Sequence, residues 1–176
     1  MSNFKGEIGK LFKDREARDK RLAEILGEDS DVITLVLRGH LVIEELLFAA
    51  VSAHCQDPEH LKNARLRFPQ LVSVLRALEK IPAVPDRYWN ALTELNSLRN
   101  ALAHNLEPKD ISMRAEKFVR TLIQESELDS LPKPLGSKEA VSTAIHYLWG
   151  GMSVVAVFQS ALEELIRNRI SSPNDK

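Results

Sequence analysis

The sequence predicts an all-α fold, a bundle of about six or seven helices around one strongly apolar helix at residues 32–54. Three observations carry this. Apolar residues return every three or four positions along most of the chain, the two-residue alternation of strands does not recur, and glycine is scarce at 7 of 176 residues. A single domain over residues 1–176 has the length to bury a real core, and the proline-containing stretch near 130–136 reads as a linker before the last long helix.

The first helix is expected from about Phe4 to Leu26, with Ile8, Leu11, Phe12, Leu22, Ile25 and Leu26 on one side of a densely charged segment. Gly27 ends it, and the Asp29-Ser30-Asp31 cluster caps the next. That second helix, about Val32 to His54, is apolar nearly all round, which suits the middle of a bundle. Asp57-Pro58-Glu59 supplies a cap, a proline at the first helical position and an acid in the first turn of a short helix to about Leu66. Pro69 opens a helix striped by Leu71, Val72, Leu75 and Leu78, which Pro82 and Pro85 close. Asp86 caps the next, whose inner face carries Trp89, Leu92, Leu95, Leu98 and Leu102 and which ends at His104-Asn105 before Pro108. A further helix is expected from about Ile111 to Glu127. The last starts after Ser137 and holds Gly150-Gly151 in its interior, a kink or a close helix contact.

A formal charge of −1 excludes a globally basic nucleic-acid binder. One cysteine, Cys55, excludes an internal disulfide and a cysteine-built metal cluster, and reads as a core residue at a helix end. The most apolar run, Leu41 to Val51, contains Glu44 and Glu45 and is too short to cross a bilayer. With no apolar signal region after Met1, a cytoplasmic setting and no membrane partner are expected. The five histidines lack metal-ligand spacing, and no phosphate loop or nucleophile elbow occurs, so no metal or cofactor is expected.

Chemistry concentrates in Arg99-Asn100-Ala101-Leu102-Ala103-His104. On a helix Asn100 and His104 lie about 40° apart, and a long arginine reaches around the remaining arc. His104 can exchange a proton near neutral pH, Arg99 offers a fork of donors suited to phosphate, and Asn100 can orient an imidazole or a ribose hydroxyl. RNA carries its own nucleophile, the 2′-hydroxyl, so one base and one cation can suffice for cleavage. The same residues also fit a plain helix ending, with His104 favouring the macrodipole and Asn105 the left-handed cap. Charges on the apolar second helix need partners, so Glu44 or Glu45 is expected within salt-bridge reach of Arg38 or Arg99, and His40 can pair with Glu44 four residues on.

Arg99, Asn100 and His104, together with Arg38-Gly39-His40, Glu44-Glu45-Leu46-Leu47 and the segment Phe68 to Leu78, resemble the HEPN superfamily of helical domains, in the layout of its mannitol operon repressor-like members. The resemblance covers about residues 30 to 125. It implies a homodimer and a metal-independent endoribonuclease of the toxin or defence-effector kind, with His104 as general acid/base, Arg99 stabilising phosphate charge, Asn100 orienting, and Glu44, Glu45 and Arg38 supporting. The superfamily's other members give the alternative, a non-catalytic transcription regulator or protein-interaction module. A cognate antitoxin or a regulatory protein is the implied partner beside RNA. Surplus apolar residues on the last helix also point to self-association. Arg87, Lys109, Arg114, Lys117 and Arg120 flank the motif and could form a phosphate-binding rim, or ordinary surface charge. Tyr147-Leu148-Trp149 reads as packing.

Overall fold

Asp31 opens the helix on which the molecule is built. Its extended backbone turns the side chain back, and Oδ1 accepts from the Thr34 amide at 2.6 Å, satisfying one of the four unpaired donors of a helix start. The computed structural model describes residues 17, 19–27, 30–78, 84–104 and 110–171, with side chains through Val154 other than that of His104. Among these residues every regular element is helical: α1 (19–26), α2 (Val32–Ala53), α3 (Pro58–Ala64), α4 (Phe68–Leu78), α5 (Asp86–His104), α6 (Ile111–Leu122), a 3₁₀ turn (Glu125–Ser130) and α7 (Lys138–Ser171). The expected N-terminal part of the first helix lies outside the described residues.

The protein is an all-α helical bundle. α2 lies against α7, α4, α5 and α3, while α5 packs chiefly on α6. Leu35, Val36, Ile43 and Leu47 from α2 meet Leu92, Leu95 and Leu98 from α5, Phe118 from α6, and Ile145 and Leu148 from α7 in one buried cluster. Full burial of each such side chain contributes about 1.5–3 kcal/mol relative to exposure. α2 and α7 approach closely because Gly39 lacks a side chain: a Cβ there would stand 2.6 Å from Ile145 Cδ1. Gly151 plays the same part at α5, where an added Cβ would strike the Tyr88 ring, whereas Gly150 faces open space. The glycine pair thus marks a close helix contact at its second member, inside a helix that continues through both.

Three expectations change. α2 is not apolar on a wholly buried surface: Ile33, Leu37 and Leu41 are 39%, 36% and 62% exposed, because no described element covers that side. α6 stops at Leu122 rather than near Glu127, since Ile123 turns extended and buries its side chain before the 3₁₀ turn. The 130–136 stretch is no free spacer, for Leu135 and Gly136 are buried and Gly136 lies against the Ser112 backbone too closely for a Cβ.

Candidate functional site

The candidate site forms where α5 crosses the flank of α2. Asn96, Asn100 and His104 recur every four residues on α5, so they line one side of that helix, and Arg99 stands beside them. Arg99 Nη1 donates to Asn100 Oδ1 at 3.2 Å, both residues being half-buried. One turn back, the Asn96 amide oxygen accepts from His40 Nε2 on α2 at 3.2 Å. With an acceptor at Nε2, neutral His40 is the Nε2–H tautomer. His40 is 4% exposed and stacked on Phe68 of α4, ring centroids 4.2 Å apart and planes 27° from parallel. Burial lowers its pKa below the ordinary histidine value. The hydrogen bond to Asn96 and the Glu44 carboxylate oppose this, and the Arg99 charge adds to it.

No family model, characterised protein or solved structure matches this chain. The geometry therefore carries the functional argument. It gathers Arg99, Asn100 and half-buried Glu44 on one side of α2, and adds His40 and Asn96, which the motif alone did not single out. The four-residue run of Asn96, Asn100 and His104 was the available signal. The backbone of His104 closes α5, and its side chain, like Asn105 and Lys109, lies outside the described residues.

Arg38 and Glu45 do not join the cluster. Arg38 Nη1 instead donates to the Ile25 and Leu26 carbonyls, at 3.2 and 3.4 Å, and to Ser30 Oγ at 3.1 Å, so it caps the C-terminal end of α1. Glu45 faces Arg21 at 3.6 Å with both side chains about two-thirds exposed. Among the described residues neither Glu44 nor Glu45 forms an ion pair with Arg38 or Arg99, which corrects the expected buried pair. The reason is where each acid points: Glu45 is exposed on the α1 flank beside Arg21, and half-buried Glu44 sits near enough to His40 for its charge to act there while keeping access to water, so neither carboxylate has to be neutralised in an apolar interior. A cleft of about 190 Å³ floored by Trp149 opens on that other flank, between α1 and α2.

The basic rim is committed locally. Arg114 pairs with Asp110 at 2.6 Å, Lys117 with Glu94 at 2.8 Å, and Arg120 with Glu116 at 2.8 Å. Arg87 lies over the Tyr88 ring. Among the described residues no three His, Cys, Asp or Glu side chains converge on a common point, and no helix is long and apolar enough to cross a membrane.

Proposed function

We propose that this protein is a HEPN-type, metal-independent endoribonuclease that works as a homodimer in the cytoplasm, as a toxin or defence effector with a cognate antitoxin. The observation that carries the reading is the Arg99–Asn100 hydrogen bond at 3.2 Å, one turn before His104 on the same helix. It leaves a cation and an amide side by side where a phosphodiester would meet the last turn of α5. In the reaction His104 takes the proton of the 2′-hydroxyl, the oxygen attacks the adjacent phosphorus as the bond to the 5′-oxygen breaks, and the 5′-oxygen leaves as a hydroxyl with a proton taken from water, to which His104 later returns its own. Arg99 offsets charge gathering on the phosphoryl oxygens, and Asn100 holds Arg99 in place. The product carries a 2′,3′-cyclic phosphate. Purified protein with an RNA panel in EDTA tests this: wild type should cleave and leave that end group, and His104→Ala should not cleave.

A second reading is favoured by the paired cations of α6. With Arg114, Lys117 and Arg120 each held by a carboxylate, these three described residues of the rim offer little unpaired positive charge to an RNA backbone. On that reading the protein is a non-catalytic regulator or interaction module, and the polar cluster braces α2 against α5. RNA left intact by wild type, together with loss of stability in His104→Ala, selects it.

A further inference from the structure

The cleft of about 190 Å³ between α1 and α2 has Trp149 of α7 at its floor. Its walls are apolar, Ile25 on one side and Val42 and Leu46 on the other, and Arg21 and Glu45 face each other across it. The sequence explains why it stays open. The side of α2 turned toward α1 steps through Val42, Glu45 and Ala49, and at exposed Ala49 a methyl stands where a larger side chain would close the gap. Beyond the cleft the two helices are fixed by buried Leu22 and Leu26, and by Arg38 and Ser30 donating to the last carbonyls of α1.

Size and charge together say what fits. At about 30 Å³ per molecule of liquid water the cleft holds roughly six waters, and an apolar cavity of about 150 Å³ takes up benzene. It therefore admits one apolar side chain of phenyl or isobutyl size. A nucleotide or drug-sized molecule needs more, from about 300 Å³ upward. Arg21 Nη2 and Glu45 Oε1 stand 3.6 Å apart, farther than a hydrogen bond, and both side chains are about two-thirds exposed. Such a contact is weak and uses neither the full fork of the guanidinium nor both carboxylate oxygens. A ligand with one charge would meet its like charge beside its partner. A zwitterion whose two charges are attached to one carbon meets both.

We propose that the α1–α2 cleft binds a free α-amino acid with a large apolar side chain. Arg21 holds the carboxylate, Glu45 holds the ammonium, and the side chain lies against Trp149 between Ile25 and Leu46. Parting a weak, exposed ion pair costs little, and each partner gains a charge-assisted hydrogen bond to the ligand. Releasing water from the apolar walls adds to the gain. Because the ligand grips one residue of each helix, binding also holds α1 against α2. Glu45 and His40 stand about 140° apart around α2, so this site is separate from the polar cluster, and the inference does not depend on the ribonuclease reading.

The test is calorimetric titration of the full chain with L-phenylalanine. A dissociation constant of about 1 mM or below is expected. L-Phenylalaninamide lacks the carboxylate and 3-phenylpropanoate lacks the ammonium, and each should bind roughly 10-fold more weakly or worse. Arg21→Gln and Glu45→Gln should weaken L-phenylalanine to the same degree. Ala49→Phe fills the cleft from an exposed position and should abolish binding. Unchanged far-UV circular dichroism in the three variants separates lost binding from lost folding. Saturating L-phenylalanine should slow hydrogen exchange at residues 19–26. Absence of binding at ~10 mM L-phenylalanine overturns the proposal. So does binding that persists in Ala49→Phe, and so does 3-phenylpropanoate binding as tightly as the amino acid, which would make the cleft an apolar hollow without recognition of the zwitterion.

Discussion

His40 on α2 donates through Nε2 to the side-chain oxygen of Asn96 on α5, 3.2 Å away, while its ring lies flat on Phe68 of α4. One buried imidazole thus ties three helices together at the edge of the candidate site. The bond needs a neutral ring only for burial's sake, since either protonation state can donate from Nε2.

The pH dependence follows from that burial. His40 has a lowered pKa when folded and an ordinary one, about 6.5, when unfolded. Between the two values the unfolded chain binds more protons, so stability rises with pH. Its contribution should be complete above about pH 6.5 and fall away as the pH drops through the folded-state pKa. His40→Gln keeps a donor toward Asn96 and cannot titrate, so urea midpoints measured down an acid series should lose this slope. His40→Ala should cost about 2–4 kcal/mol at pH 7 by removing both ring packing and the bond.

Arg99 should behave differently. Without a carboxylate partner among the described residues, Arg99→Ala should change stability by less than about 1 kcal/mol. If the ribonuclease reading holds, cleavage should fall by a factor of about 100 or more, as when a donor to developing charge is removed. A loss of several kcal/mol in thermal unfolding would show that Arg99 is a brace.

Arg38→Ala should loosen α1. The guanidinium shares the last carbonyls of that helix with Ser30 Oγ, which also donates to Leu26 O, and Leu22 and Leu26 are buried only while α1 stays docked. Hydrogen exchange should speed up at residues 22–26 ahead of the rest of the bundle. The global cost should be about 1–2 kcal/mol.

The adjacent glycines of α7 should respond with opposite signs. Gly150→Ala enters open space in mid-helix and should stabilise by about 0.5–1 kcal/mol. Gly151→Ala drives a methyl into the Tyr88 ring and should cost about 1–3 kcal/mol as overpacking. Paired melts of the two variants read the difference directly.

Much of the fold was legible because local signals agreed. Asp31, Asp57 with Pro58, and Ser137 start α2, α3 and α7 as their side chains require, with Ser137 Oγ accepting from the Ala140 amide at 3.3 Å. The end of α6 was not, because nothing between Leu122 and Glu127 breaks a helix in its own right. Burial of Ile123 and Leu128 against other elements decides it. At the site, the Arg99–Asn100 contact follows from adjacency, but Asn96 reads as one more polar residue on a helix surface until His40 arrives from 56 positions away. Arg38 misled for a related reason. Carboxylates are visible in a sequence as acceptors, whereas the bare carbonyls that end a helix are not, and those were what Arg38 reached.

Arg38, Gly39 and His40 are consecutive, and successive residues of a helix point about 100° apart. The first grips α1, the second admits α7, and the third reaches α4 and α5. A rod held at one level from three directions cannot roll about its own axis. α2 can respond to a ligand by shifting lengthwise or by parting from a neighbour, but not by turning. The bearing of Glu44 toward the polar cluster, and of Leu41 toward solvent, is set by this single tripeptide, and one residue inserted directly after His40 would misdirect both.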